Sequence, residues 1–222
     1  MYKIIWILLF LLPQFAGAQP WENYILNADG DTLNRVDKYK FKQGPWVNRV
    51  ESLRGEPGYE EEGYYANDKK EGTWRRFNLQ GDLLAIEQYR WGYRDGKQQY
   101  FTMLGELLRE ESWKAVNPEN PYDTIDVPDL NNPMVTHSKV VKLEGSELRH
   151  GIWKFYDPTA GSILKTETYL LGQKQNDNGS QPTDAEAAAN PKPAAKPKTV
   201  EEWEKKNSGK KSIKVRDGRT GG

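Results

Sequence analysis

Three segments of this chain alternate large and variable side chains with a period of two. Leu83, Ala85, Glu87 and Tyr89 fall on one face, as do Leu107, Arg109, Glu111 and Trp113, and again Ile163, Lys165, Glu167 and Tyr169. Each spells aliphatic, variable, Glu, aromatic at alternate positions, which is the signature of a strand presenting successive side chains to opposite sides of a sheet. A glycine and aromatic frame surrounds each segment. Gly72 is followed by Trp74, Phe77, Gly81, Leu83, Tyr89 and Gly92; Gly96 by Gln98, Phe101, Gly105, Leu107 and Trp113. Gly151 is followed by Trp153, Tyr156, Gly161, Ile163, Tyr169 and Gly172, with one extra residue before the second glycine. A degenerate start is visible at Gly30, Leu33, Tyr39, Gly44 and Trp46. Self-similarity on this scale predicts a stacked repeat architecture. Aromatic residues between glycine turns make the repeating unit a β-hairpin and the fold all-β. Trp74 and Phe77 lie three apart, so an ideal strand turns them to opposite faces, whereas a bulge brings them together; the sequence does not choose.

The organisation around the array follows from composition. One lysine, an apolar run over 4–12 and Ala16-Gly17-Ala18 read as a secretory signal peptide covering 1–18. The run is broken by Pro13 and is too short to span a bilayer, so no transmembrane helix is expected after cleavage. The repeat domain is expected over 19–174, interrupted at about 114–140 by an insertion carrying Pro118, Pro121, Pro128 and Pro133. Four prolines do not fit a central sheet, so this is a surface loop or a small excursion. Residues 175–198 read as a disordered Pro/Ala/Lys linker. Residues 199–222 read as a basic tail, in which Thr199 with Glu202 suggests a capping box and a short helix. The formal charge balances at 32 basic and 32 acidic residues, but the chain from Lys205 onward holds seven basic residues against Asp217 alone.

Gly-x-Trp-x-x-(Phe/Tyr), then Gly-x-(Leu/Ile) and Tyr-x-x-Gly, resembles the MORN-repeat variant of many bacterial antitoxin-like proteins. The resemblance covers about residues 29–172; it is good at 72–92 and 151–172, partial at 96–113 and poor before Gly63. It implies an elongated, single-layered array of antiparallel β-hairpins used for contacts with proteins or membrane surfaces. An antitoxin role is not carried over, because the N-terminus reads as an export signal.

Chemistry narrows the function further. The absence of cysteine excludes thiol catalysis, thiolate metal sites and a lipid-modified cysteine, and favours a bacterial envelope protein over a disulfide-stapled secreted domain. Glu87, Glu111 and Glu167 recur one repeat apart, too widely for a glycosidase pair, and fit a solvated face with Arg109 and Lys165 as neighbours. Asp123, Asp126 and Asp129 lack the spacing and glycine of a calcium loop, and His137 and His150 have no ligand pattern around them. No phosphate loop or nucleophile motif is present. The chain is therefore expected to be non-enzymatic, with no cofactor, no metal and no nucleic-acid partner. The repeat aromatics Trp46, Trp74, Phe77, Tyr89, Trp113, Trp153, Tyr156 and Tyr169 are assigned to the core. Trp91 and Tyr93, between copies, are the candidates for exposed contacts. Trp203 with Lys210, Lys211, Lys214, Arg216 and Arg219 forms a second candidate contact through the tail. The expected function is an exported scaffold or accessory subunit of a periplasmic or outer-membrane complex. Its expected partner is an envelope protein, with an anionic membrane surface or peptidoglycan also open. Glycan binding and an envelope toxin–immunity role remain as alternatives.

Overall fold

The computed structural model describes residues 21–128, 136–175, 196–209 and 215–221. The expected signal peptide, nearly all of the expected linker (176–195) and the tip of the insertion (129–135) lie outside them. The elements in chain order are β1 (Asn23–Asn27), β2 (Thr32–Val36), β3 (Lys42–Val50), β4 (Tyr59–Ala66), β5 (Lys69–Asn78), β6 (Leu83–Arg90), β7 (Tyr93–Arg94), β8 (Gly96–Phe101) and β9 (Leu107–Ala115). There follow β10 (Tyr122–Pro128), β11 (Thr136–Lys142), β12 (Glu147–Arg149), β13 (Gly151–Tyr156), β14 (Ile163–Leu170), β15 (Gln173–Lys174), helix α1 (Lys198–Asn207) and β16 (Val215–Gly221). Fourteen strands form one antiparallel sheet in the order β15-β14-β13-β9-β8-β6-β5-β4-β3-β2-β1-β16, with β7 and β12 as outlying pieces beside β6 and β9. The expected all-β hairpin array is therefore the fold.

Four hairpins share one register. Gly44 stands opposite Tyr65, Gly72 opposite Tyr89, Gly96 opposite Trp113 and Gly151 opposite Tyr169. Two residues on, Trp46, Trp74, Gln98 and Trp153 face Gly63, Glu87, Glu111 and Glu167. The copy that looked degenerate is thus a full repeat, its spacing stretched by the loop after Val50, with Tyr59–Glu62 in β4. The question of Trp74 and Phe77 is also resolved. Arg76 pairs with Ala85 and Phe77 with Leu83, so the extra residue is Leu84 in the partner strand. Leu108 and Leu164 are the extra residues at the same place in the later copies. Because β5 gains nothing between them, Trp74 and Phe77 keep opposite sides, and both are buried.

Two kinds of turn close the hairpins, one at each end of the strands, except that the β2–β3 turn beside Asn67-Asp68 is an Asx turn on Asp37. At one end Asn27, Asn78, Thr102 and Asp157 accept backbone N–H groups two to four residues ahead, as Asx and Ser/Thr turns do. At the other end Asn67-Asp68, Trp91-Gly92 and Leu171-Gly172 have positive φ at both central residues. That is the geometry of type I′, whose twist matches that of the strands it joins. The insertion leaves from this end and forms a separate two-stranded sheet, β10 with β11. Pro118, Pro121 and Pro128 stay out of the main sheet; Pro133 lies outside the described residues.

The chain beyond β15 is more engaged than a free tail. Strand β16 adds antiparallel to β1, and α1 packs on the sheet. The helix starts from Pro197, whose φ of −54° suits a helix entrance, and no side-chain cap is present, so Thr199 does not serve as one. Val200 is completely buried beside Gly72, and Trp203 packs on Leu33 and Val47 and meets Tyr64 edge-on. Gly72 makes this approach feasible: a Cβ there would lie 2.5 Å from Val200 Cγ1 and 2.3 Å from Glu204 Oε1.

The first copy's Gly63 is needed for a different reason. A Cβ at this position would lie 2.3 Å from the Trp74 indole of the next copy. Gly63→Ala must displace a buried tryptophan. It is expected to lower unfolding free energy by about 1–3 kcal/mol, read from urea denaturation curves.

Candidate interaction surface

The face of the sheet away from α1 is built from a repeated set of side chains. Trp46, Tyr65, Trp74 and Tyr89 form one edge-to-face run, with centroids 5.5, 4.9 and 6.4 Å apart. Trp113, Trp153 and Tyr169 form a second, with both spacings at 5.3 Å. The break between the runs falls at Gln98, which replaces the tryptophan of the other copies. Its amide is fully buried and bonds both the N–H and the C=O of Gln88. The aromatics are therefore core, as the sequence suggested.

Two residues before each repeat glycine stands a cation that lies over those rings. Lys42 covers Trp46 and Tyr65, Lys70 covers Trp74 and Tyr89, Arg94 covers Trp113, and Arg149 covers Trp153 and Tyr169. Their distances from the ring centroids run from 3.6 Å for Arg94 to 5.4 Å for Arg149 over Tyr169, within cation–π range.

The three aligned glutamates correct the expectation of a solvated face. Glu87, Glu111 and Glu167 are buried, at 5, 6 and 8 % exposure. Each accepts a hydrogen bond from the aromatic two residues on: Tyr89 Oη at 3.3 Å, Trp113 Nε1 at 2.8 Å and Tyr169 Oη at 2.9 Å. Each is also paired with a cation, Arg76 for Glu87, Arg109 for Glu111, and Lys165 with Lys174 for Glu167. Burial forces this pairing, because an unpaired carboxylate costs several kcal/mol in the interior. The hydrogen bonds and charges of Lys165, Lys174 and Tyr169 hold the Glu167 carboxyl at about 2. These are structural ion pairs.

A fourth repeated position was invisible in the sequence. The residue just before each glycine accepts the N–H of the residue that enters the turn or loop at the end of the same copy. Gln43 accepts from Asn67 at 3.1 Å, Glu71 from Trp91 at 2.7 Å, Asp95 from Ala115 at 3.0 Å and His150 Nδ1 from Leu171 at 3.4 Å. Burial raises the Glu71 carboxyl above its usual range. It lowers His150, helped by the nearby charge of Lys114, while Asp123 and Asp95 act the other way.

Trp91 and Tyr93 are half-buried, Trp91 in the turn after β6 and Tyr93 in β7, at the junction between the second and third copies. Trp91 enters its turn at the position that Leu171 holds in the last copy. Trp203 does not reach outward; its ring is engaged with the chain's own sheet. Arg216 and Arg219 lie on β16 beside β1, while Lys210, Lys211 and Lys214 lie outside the described residues. Trp91 and Trp203 line different grooves, so the structure does not bring these two candidates to one site.

An apolar rim at the other end of the strands was not anticipated. Seven of the twelve large apolar residues exposed among the described residues lie at the Asx-turn end of the hairpins. Leu104 and Met103 project from the β8–β9 turn at 86 and 71 % exposure, and Leu164 and Ile163 stand at the start of β14 at 67 and 51 %. Leu108, Leu53 and Val50 extend the row. The extra residue of each bulge supplies Leu108 and Leu164, so the irregularity of the ladder itself turns leucines outward. Searches find no matching protein-family model, curated protein or solved structure. Among the described residues no group of side chains is arranged to hold a metal ion, and no helix is long and apolar enough to cross a membrane.

The pH dependence of the last copy follows from these groups. With its folded pKa below the unfolded value near 6.5, His150 favours folding only as the neutral acceptor. Its contribution is complete above about pH 6.5 and declines as the pH falls toward the lower folded pKa. The Glu167 contribution lasts to lower pH, fading as the carboxyl is protonated between its unfolded value, about 4.5, and about 2. His150→Gln supplies the acceptor that Gln43 already provides in the first copy. It should flatten the dependence of the denaturation midpoint on pH as the pH falls below about 6.5, leaving the loss below about 4.5 in place.

Proposed function

We propose that this chain is an exported, non-enzymatic scaffold of a bacterial cell-envelope complex, related to the MORN-repeat variants, whose apolar hairpin rim docks a protein partner. The observation that carries the reading is the exposed set of Met103, Leu104, Leu108, Ile163 and Leu164 at the ends of two neighbouring hairpins. Contiguous exposed apolar surface on a folded domain is characteristic of interaction sites, and a rim of tips held by a rigid sheet enters a partner's groove without reordering. The amino-terminal signal pattern supports export. The basic carboxy-terminal segment, with Arg216 and Arg219, is read as a second contact that suits an acidic partner surface.

The test is photo-crosslinking in cells of the source organism from position 108, with mass spectrometry of the adducts. Replacing Met103 and Leu104 together by Glu removes burial contributing about 1.5–3 kcal/mol per side chain. It should cut recovery of the crosslinked partner at least tenfold while circular dichroism and melting temperature hold. Undiminished recovery of the same partner by the folded double variant would remove the rim from the interface.

A further inference from the structure

At the joint between the second and third copies, the Trp91-Gly92 turn faces the leading edge of α1 across a groove of about 470 Å³. Its walls include Trp91, Glu71, Asp95, Lys97, Gln88 and Lys196. The volume lies within the range of small-molecule sites.

Trp91 has a φ of +52°, a conformation that is costly for a bulky side chain. Asn67 does the same work in the first copy with a residue that tolerates it. The turn alone therefore gives no reason for an indole here. Arg90 lies 4.4 Å from the ring centroid and anchors the ring at the groove.

The cations of the polar wall are compensated. Lys196 is paired with Glu204 at 2.8 Å and Lys97 with Glu110, so neither amine presents an uncompensated charge. Arg90 acts on Glu71 from the same turn. Glu71 and Asp95 each use one carboxylate oxygen on a backbone N–H, leaving acceptor capacity toward the groove. Gln88 carries both amide donor and acceptor, and already bonds Thr73 and Lys196. An aromatic wall, interleaved donors and acceptors, and charges compensated from within suit a ligand rich in hydroxyls and without net charge. We infer that this groove binds a short neutral oligosaccharide, with Trp91 as the stacking surface and Glu71, Asp95 and Gln88 as hydroxyl partners.

This site lies at the opposite end of the strands from the apolar rim, so its fate is independent of the docking reading. The full chain is titrated with maltotriose, cellotriose and triacetylchitotriose by isothermal calorimetry and by the NMR shifts of its indole N–H groups, up to about 10 mM because single-groove sugar sites are weak. At least one trisaccharide should bind and shift the Trp91 signal. Trp91→Asn, which places a favoured turn residue at this position, should weaken that binding at least tenfold without lowering the melting temperature. Trp91→Tyr should retain part of it. Absence of binding by all three sugars, or equal binding by the folded Trp91→Asn variant, would overturn the inference.

Discussion

A sheet whose working face is not covered by a second layer among the described residues must bury that face under its own side chains. Everything regular in this chain answers that constraint. Small side chains cannot do it, because no facing layer completes their burial, and each aromatic covers 150–250 Å². The rings therefore pack in runs along the sheet, edge to face from Trp46 to Tyr89 and tilted from Trp113 to Tyr169. What remains open above them is closed by the stems and charged heads of Lys42, Lys70, Arg94 and Arg149. Long cationic side chains suit this place because they cover apolar surface while keeping their heads hydrated. The buried glutamates then follow: Tyr89, Trp113 and Tyr169 each carry a polar hydrogen needing an acceptor, and Glu87, Glu111 and Glu167 provide it.

The exceptions obey the same constraint. In the first copy Gly63 occupies the glutamate position, because the Trp74 ring already lies over it and no side chain has room. In the third copy Gln98 replaces the tryptophan, and the aromatic run breaks there. The amide restores in hydrogen bonds to Gln88 part of what the ring would supply in contact. The glycine that opens each copy has positive φ in every case, Gly44, Gly72, Gly96 and Gly151 alike. At Gly72 this backbone freedom also removes a Cβ from the path of α1, so one residue serves the repeat and the docking of the helix.

Much of this was legible in the sequence, and what escaped did so for physical reasons. Period two and the glycine register exposed three hairpins and the shared glutamates, because those signals use the same residue types in each copy. The first copy was blurred because an enlarged loop after Val50 altered its spacing while leaving its pairing intact. The acceptor before each glycine was invisible, since Gln43, Glu71, Asp95 and His150 have in common only the ability to accept one backbone N–H. Burial was misjudged at Glu87, Glu111 and Glu167, because alternation gives a face without saying whether water reaches it. Trp203 looked like a ligand for another molecule, since nothing local to it reveals Leu33 and Val47 far upstream.

The repeated positions are occupied with keeping the sheet folded, which leaves little of that face to adapt to a partner. Cation, acceptor, glycine, Trp, Glu and final aromatic are each tied to another member of the set. Variation is confined to residues outside that web. The first turn position changes from Asn67 to Trp91 to Leu171 within one backbone geometry, and the opposite turns change from Asn78-Leu79-Gln80 to Thr102-Met103-Leu104. A framework that fixes its backbone through internal ion pairs and rings can carry different side chains at its turns at little cost to folding. The apolar rim lies at one end of the strands and the Trp91 groove at the other, where a substitution changes recognition while the hairpin beneath it stays as it was.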